Sequence, residues 1–390
     1  MYNVSMNSCS RNPNKFGFYD VNGYKTFSKL EAIELQQRTG HWPHWNFNQE
    51  VFNEINWQLE PNLDLWEMYK ARARQIRASY DYCVIFYSGG SDSHNLLNAW
   101  IEADCKIDEI ASFWNEAGTH DPQSFMCSEI SNVVLPDIKL LKSKGFDFVY
   151  RLIDLCDLTK KFIKENYLHY HYHVNQSLSP NNVIKSYFRH DVKDYRDLIN
   201  QGKSVCFIWG SDKPQIFNDE LGYYFAFSDI MDNCVSPYVQ NQYQQGWYDE
   251  LFYWSPDFPL IPVKQAHIVK KFLDNVNDLI YYQNKHSPYG YNKKINQYIS
   301  VHTIKKIIYP KWHDGIFMAD YHGIGRGLRK PNFLTYSERD EWLFYADPDL
   351  GKKTLDMIAS SVAHLPEYWR NKDQKTSAVK AHIQKHYFAK

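Results

Sequence analysis

The sequence predicts an α/β fold in which helices cover both faces of a parallel sheet. Short apolar runs alternate with segments of helical spacing between residues 81 and 235. Parallel strands are buried on both faces, and each crossover to the next strand brings a helix over the sheet. The 390 residues allow two or three domains at about 100–200 residues each. We expect an amino-terminal extension at 1–80, the sheet domain at 81–235 and a mainly helical region at 236–390.

Each element of this prediction comes from a local pattern. The apolar runs at 83–87, 107–114, 146–153 and 204–209 predict four strands. Helical spacing predicts helices at 63–79, 92–103, 128–142, 156–167 and 264–283. The first of these helices carries four basic residues in its second half. They are read as a solvated helix face or, alternatively, as a phosphate-facing surface: Lys70, Arg72, Arg74 and Arg77.

Composition excludes several classes of protein. Lys and Arg number 44 against 45 Asp and Glu, so the net charge of −1 excludes nucleic-acid binding by bulk charge. An apolar stretch of about 18 residues, long enough for a membrane span, does not occur. The amino terminus lacks the apolar core of a signal peptide. The seven cysteines are scattered, which favours reduced thiols in the cytoplasm without disulfides or structural zinc.

The most informative segment is SGGSDS at 88–93, which stands between a predicted strand and a predicted helix. Gly89 and Gly90 allow a tight turn, and the first turn of the helix offers free N–H groups to an anion, most often a phosphate. Ser88, Ser91 and Ser93 add hydroxyl donors, and Asp92 suits Mg²⁺ bridging to phosphate oxygens. The segment matches neither the GxxxxGK[ST] nor the GxGxxG loop. A simple turn with Asp92 as helix cap is the alternative.

SGGSDS resembles the SGGxDS loop of the PP-loop (N-type) ATP pyrophosphatases, or adenine nucleotide alpha hydrolases, and the sequence is most similar to the synthetase domain of asparagine synthase. The resemblance covers about residues 80–330. It implies a five-stranded, doubly wound parallel sheet, with ATP bound across the carboxyl ends of the strands. It also implies cleavage between the α- and β-phosphates with Mg²⁺, so that a substrate is adenylated and pyrophosphate released.

A second motif, FIWGSD at 207–212, ends the fourth predicted strand. The related enzymes have Gly-x-Gly-x-Asp-Glu there, with an acidic pair that holds magnesium and pyrophosphate. Gly210 and Asp212 match part of that motif, and Asp212 is the second expected metal ligand. Lys213 stands in place of the Glu and is expected to meet phosphate charge directly. Phe113, at the end of the second strand, is expected to line the nucleotide site.

The resemblance also implies a basic residue from the carboxyl-terminal region that steadies charge during adenylation. The candidates are Arg326, Arg329, Lys330, Lys305 and Lys306. Tyr2 stands where the full-length enzymes have a catalytic cysteine, so we expect no glutaminase domain here. The nucleophile is then free ammonia, an amine from a supplying partner, or another group. Stand-alone proteins of this kind are seen in large tailed phages, which places the chain in the host cytoplasm if it is phage-encoded.

Three further features are left open. His169, His171 and His173 would share one face of a strand, and we expect a polar strand or a loop at the mouth of the site more than a metal site. The glycine-rich segment 323–327 is read as a lid that excludes water. Glu129 is placed to approach an amino group or a ribose, or simply to favour a helix N-terminus.

The preferred function is that of an AMP-forming ATP-dependent ligase. It would adenylate a small-molecule acceptor and then form an amide or another C–N bond. The first alternative is modification of a nucleobase in RNA or DNA through an adenylated base, with the basic helix and the aromatic residues contacting nucleic acid. The second alternative is a degenerate protein that binds a nucleotide without catalysis.

Overall fold

The computed structural model describes eleven segments of the chain: 8–114, 129–166, 188–190, 192–210, 216–219, 222–227, 246–275, 288–292, 297–311, 347–363 and 379–382. The first segment begins with strands and short helices: β1 (Phe18–Val21), β2 (Tyr24–Thr26), α1 (Lys29–Thr39), β3 (His44–Asn46) and α2 (Gln49–Phe52). These strands form an antiparallel sheet in the order β2-β1-β3.

The remaining elements follow in chain order. The strands are β4 (Tyr82–Phe86), β5 (Glu109–Trp114), β6 (Val149–Asp154), β7 (Val205–Trp209), β8 (Ile216–Asp219), β9 (Gly222–Phe227), β10 (Trp247–Leu251), β11 (Pro288–Asn292), β12 (Gln297–Ser300) and β13 (Val379–His382). The helices are α3 (Leu65–Ser79), α4 (Ser91–Glu102), α5 (Leu135–Ser143) after a π-helical turn (Ile130–Val134), α6 (Leu155–Asn166), α7 (Lys193–Asn200), α8 (Leu260–Asn275), α9 (Val301–Ile308) and α10 (Pro348–Val362).

The expected parallel sheet is confirmed. Five strands pair in the order β10-β7-β4-β5-β6, and every pairing is parallel. The four predicted strands are β4, β5, β6 and β7, each within a few residues of its expected bounds. The fifth strand, β10, lies beyond residue 235, so the sheet crosses the predicted boundary of the domain.

Helical segments cover both faces of this sheet. On one face, the Phe207 ring packs against the rings of Phe188 and Tyr195, at centroid distances of 5.8 and 5.3 Å. On the other face, Glu250 of β10 accepts a hydrogen bond from Arg72 of α3 at 2.6 Å. Successive residues of a strand point to opposite faces, so Asp249 of β10 belongs to the Phe207 face.

A second five-stranded sheet has the order β12-β11-β8-β9-β13. The β11–β8 pairing is parallel and the other pairings are antiparallel. The region from residue 236, expected to be mainly helical, therefore contributes strands β11 and β12, the edge strand β13, and β10 of the first sheet, beside helices α8 to α10. Pro288 obscured β11 in the sequence, although the tyrosines of its PYGYN run are typical of strands.

The amino-terminal extension shares the core of the rest of the chain. Its fully buried Phe47 and Phe52 rings lie 5.1 and 4.4 Å from the ring of Phe227 in β9. Trp57 adds a contact of 5.3 Å to Phe225 of the same strand. Phe, Tyr and Trp make up 17% of this sequence, and some of these rings join the extension to the second sheet.

The reading of the basic helix as a solvated face is wrong for Arg72, whose side chain is fully buried. Its guanidinium bonds to Glu250, which lies 178 positions away, so a helical pattern alone could not reveal the partner. Arg77 is bonded to the carboxylate of Asp108. Arg74 remains exposed, and the half-buried Lys70 pairs with Glu67 on the same helix.

Candidate functional site

The glycine loop connects the carboxyl end of β4 to helix α4. Gly89 has a φ of +79°, a backbone conformation that residues other than glycine rarely adopt. A Cβ atom at this position would lie 3.1 Å from the carbonyl oxygen of Glu129 and 3.1 Å from Cγ2 of Val134. Gly90 is the N-cap of α4 and has no side-chain oxygen to bond the first amides of the helix. The loop therefore presents helix N–H groups at the edge of the sheet.

The second predicted motif lies against the first. Gly210 directly follows β7, the neighbour of β4 in the sheet. A Cβ atom here would lie 3.2 Å from both the carbonyl oxygen of Asp92 and the Cα of Ser93. The carboxyl end of β7 thus packs on the first turn of α4, and the two glycine segments form one edge.

The serine hydroxyls of the loop have different roles. The Ser93 hydroxyl donates to the carbonyl of Gly90 at 3.1 Å and accepts the Ser88 amide at 3.2 Å. The Ser88 hydroxyl accepts the Gly90 amide at 3.3 Å, so both side chains brace the turn. The Ser91 side chain is buried, and its Oγ has no hydrogen-bond partner in the described part of the chain. Such an orphaned donor at a helix N-terminus suits a bound anion.

Asp92 is held by two tyrosines from the carboxyl-terminal region. The Tyr309 hydroxyl donates to Oδ1 of Asp92, and the Tyr253 hydroxyl donates to the Asp92 carbonyl at 2.7 Å. Tyr253 in turn accepts from Nδ2 of Asn95 at 3.0 Å. Burial and the charge of Asp92 raise the pKa of Tyr309 well above its usual value. Burial likewise raises the pKa of Tyr253, so both phenols remain neutral donors at physiological pH.

A second polar group flanks the loop on the side of α5. The Tyr87 hydroxyl donates to Asp137 and lies 3.0 Å from Nδ1 of His94. Burial, followed by the charge of Asp137, raises the pKa of Tyr87. Burial also acts to raise the pKa of Asp137, but hydrogen bonds from His94 and Tyr87 outweigh it, so this pKa is lowered. Tyr87 donates its proton to Asp137. In the hydrogen bond between Tyr87 and His94, the Nδ1–H of His94 is therefore the donor.

Glu129 lies beside the same turn, because its Oε1 is 4.0 Å from where a Cβ of Gly90 would be. Its approach to an amino group or a ribose at the loop stays a prediction.

Phe113 belongs to a wall of aromatic rings at the carboxyl ends of β4, β5 and β7. Its ring stacks on Phe86 at 5.1 Å, and Phe86 stacks on Trp209 at 3.8 Å. The Trp209 indole donates to Asp249 at 2.7 Å. Asp249 also forms a two-bond ion pair with buried Arg189 at 2.8 and 2.9 Å. This network fixes the residue that immediately precedes Gly210.

A buried ionic cluster lies away from the loop, beneath the extension. Ligand atoms of Cys9, Glu250 and Asp257 lie within 4.8 Å of one another. Lys15 is 2.5 Å from Glu250 and 3.7 Å from Asp257, and Arg72 is 2.6 Å from Glu250. The two cations already balance the two carboxylates. The cluster therefore fits an internal ion network better than a cation site.

Of the predicted residues, the structure brings Gly210 against the loop at 88–93, and it places Phe113 at the carboxyl end of β5, against Phe86 and Trp209. Lys305 lies on α9, and its carbonyl accepts the amide of Tyr309 at 3.0 Å. Lys306 is exposed on the same helix. The remaining predicted residues lie outside the described segments: Asp212, Lys213, Arg326, Arg329, Lys330, His169, His171, His173 and the glycine-rich segment 323–327.

Sequence reasoning missed the tyrosines that hold Asp92. Tyr253 and Tyr309 lie 161 and 217 positions from their partner. Neither belongs to a recognisable motif. The cluster of Tyr and Trp at 247–254 was a weak signal for Tyr253, and Tyr309 lies outside that cluster.

None of the helices in the described segments is both long and apolar enough to cross a membrane. Comparison of the chain with models of known protein families gives no match, and comparison with curated proteins gives none either.

Proposed function

We propose that the chain binds Mg·ATP on the loop at 88–93 and cleaves it between the α- and β-phosphates. One observation carries the proposal. The loop follows β4, and Gly210 follows the adjacent strand β7. The strand of this sheet that follows β4 along the chain, β5, lies on one side of the β4–β7 pair. The one that follows β7, β10, lies on the other side, after β8 and β9 of the second sheet. In open parallel sheets, ligands bind outside the carboxyl ends of the strands at such a switch point. This order supports a doubly wound fold of the adenine nucleotide alpha hydrolase type.

The loop residues fit the phosphate groups of ATP. The amide of Gly89 and the first turn of α4 offer N–H donors and the positive end of the helix dipole, and the amide of Gly90 would join them by exchanging its bond to Ser88 for a phosphate oxygen. The buried Ser91 hydroxyl, which lacks a partner among the described residues, would donate to a phosphate oxygen. Asp92 would hold Mg²⁺, with Asp212 as the second ligand. The metal supplies charge neutralisation at the phosphates.

The proposed reaction is that of an AMP-forming ligase. An acceptor oxygen attacks the α-phosphorus, the bond from the α-phosphorus to the bridging oxygen breaks, and pyrophosphate leaves. An amine then attacks the activated carbon, forms the C–N bond and displaces AMP, while its proton passes to solvent or a base. The loop acts by positioning and electrostatics. Lys213, Lys305, Arg326, Arg329 or Lys330 would steady the leaving pyrophosphate.

The acceptor is a small molecule on this proposal. The nucleic-acid alternative drew on the basic helix α3, but Arg72 is buried against Glu250 and Arg77 is bonded to Asp108. Two internal ion pairs thus take up half of the basic residues that would have met phosphates of RNA or DNA. The amine comes from ammonia or a supplying partner.

Gly89→Ala is expected to abolish ATP binding. Alanine is strained at a φ of +79°, and its Cβ would crowd Glu129 and Val134. The measurement is the gain in unfolding free energy on adding Mg·ATP, about 2.7 kcal/mol at a hundred times the Kd. The wild-type chain should show this gain and the variant should not.

Gly145→Ala is the matched control for backbone strain. Gly145 has a φ of +87°, and a Cβ there would meet no atom within 4 Å. This variant should lose stability and keep the full gain from Mg·ATP. A wild-type chain without any gain, or a Gly89→Ala chain with the same gain, would refute ATP binding at the loop.

A further inference from the structure

We propose that Tyr309 is a positioning residue for Asp92: it fixes the orientation of the carboxylate that holds Mg²⁺. The inference rests on the proposed function. Tyr309 lies just beyond α9, in the carboxyl-terminal region, and donates its hydroxyl proton to Oδ1 of Asp92. Carboxylates that bind metals are themselves oriented by hydrogen bonds.

Tyr309 is held firmly enough for this role. Its side chain is fully buried, and its ring lies 5.6 Å from the ring of Tyr253. The residue before it, Ile308, accepts a hydrogen bond at 2.9 Å from Tyr69 on α3. The hydroxyl of Tyr69 accepts from Gln265 on α8 at 2.9 Å. Helices α3 and α8 therefore fix the point from which Tyr309 reaches Asp92.

The backbone of Asp92 is fixed separately. Tyr253 donates to its carbonyl, and the residue lies in the first turn of α4. The bond from Tyr309 therefore acts on the side chain, where it selects one rotamer and occupies one oxygen.

The chemistry of the donor supports a role beside a metal. A lysine or arginine at this position would orient the carboxylate but would also cancel its charge, which a cation needs. A neutral phenol orients the group and leaves that charge in place. The same bond ties the carboxyl-terminal region to the glycine loop, so α9 completes the site.

Tyr309→Phe tests the inference because it removes the hydroxyl and keeps the ring. At fixed ATP, the Mg²⁺ concentration for half-maximal ATP-induced stabilisation should rise about 10- to 100-fold. Stabilisation by ATP in EDTA should be unchanged. Tyr195→Phe is the control, since it removes a buried tyrosine hydroxyl that donates to Glu109 and contacts neither Asp92 nor Tyr309 in the described part of the chain. Its Mg²⁺ midpoint should match the wild type.

A second pair of variants distinguishes an effect through Asp92 from a general loss of stability. In an Asp92→Asn background, Tyr309→Phe should not move the Mg²⁺ midpoint further, because its effect passes through the carboxylate. An unchanged midpoint in Tyr309→Phe, or an equal shift in Tyr195→Phe, would overturn the inference while the proposed function stands. A wild-type chain without Mg²⁺-dependent stabilisation would overturn both.

Discussion

Asp92→Asn is expected to lower the rate of AMP formation by about 10²- to 10³-fold while the fold stays intact. Metal coordination to transferring phosphates contributes several kcal/mol, and each 1.36 kcal/mol corresponds to about a factor of ten. Asparagine keeps an oxygen that can accept the proton of Tyr309, so the buried phenol does not lose its partner. Alanine would orphan that hydroxyl and confuse a loss of charge with a loss of stability.

Asp104→Asn is the control for the Asp92 experiment. Asp104 is exposed, lies just beyond the other end of α4 and has a φ of +56°, which asparagine tolerates well. The control makes the same change of charge and should keep the full rate. The role of Asp92 as metal ligand would be refuted by a rate in Asp92→Asn within about twofold of the wild type.

Glu250→Gln is expected to reduce the unfolding free energy by about 3–5 kcal/mol, as for other buried ion pairs that lose one partner. Glu250 is fully buried, and it is the shared partner of Lys15 and Arg72. Glutamine leaves two buried cations with one carboxylate, Asp257, nearby. The shift would be measured as a lower denaturant midpoint with an unchanged slope. Glu50→Gln, at an exposed position on α2, should change stability by less than about 0.5 kcal/mol.

Glu250 is also expected to account for part of the stability that the fold loses in acid. Burial acts to raise the pKa of Glu250, but Lys15 and Arg72 outweigh it and lower this pKa below 4.5. A lowered folded-state pKa gives stability that is present above the unfolded-state value and is lost as the pH falls below it. Glu250→Gln should therefore lose less stability than the wild type as the pH falls below about 4.5. Equal midpoints at pH 7 would show that the ion network does not stabilise the fold.

The sequence predicted the elements whose signal is local. Strands β4 and β7 carry uninterrupted apolar runs, and the glycine turn marks the start of α4. Strand β10 was missed because its sequence, WYDEL, contains two acidic residues. Both are buried, and their charges are met by Arg189 on one face and by Lys15 and Arg72 on the other. A periodicity argument treats such residues as solvent-exposed, because their partners are far away in the chain.

In the candidate site too, the sequence predicted what depends on neighbouring residues and missed what depends on distant ones. The loop at 88–93 could be found because its residues are contiguous and their chemistry depends on the adjoining strand and helix. The bond from Tyr309 to Asp92 spans 217 positions and depends on the packing of α9 against the rest of the chain. The burial of Arg72 beside exposed Arg74 is similar, since one helix face meets Glu250 and the other meets solvent.

The most direct test of the central claim is analysis of the nucleotide products. The purified chain would be incubated with Mg²⁺, ATP and a small-molecule extract containing ammonium, in parallel with Asp92→Asn. The account predicts AMP and pyrophosphate, dependent on the extract and greatly reduced in the variant. ADP and phosphate would contradict it, because the loop would then serve cleavage at the γ-phosphate. Tight binding of ATP without any product would instead favour the alternative function, in which the protein binds a nucleotide without catalysis.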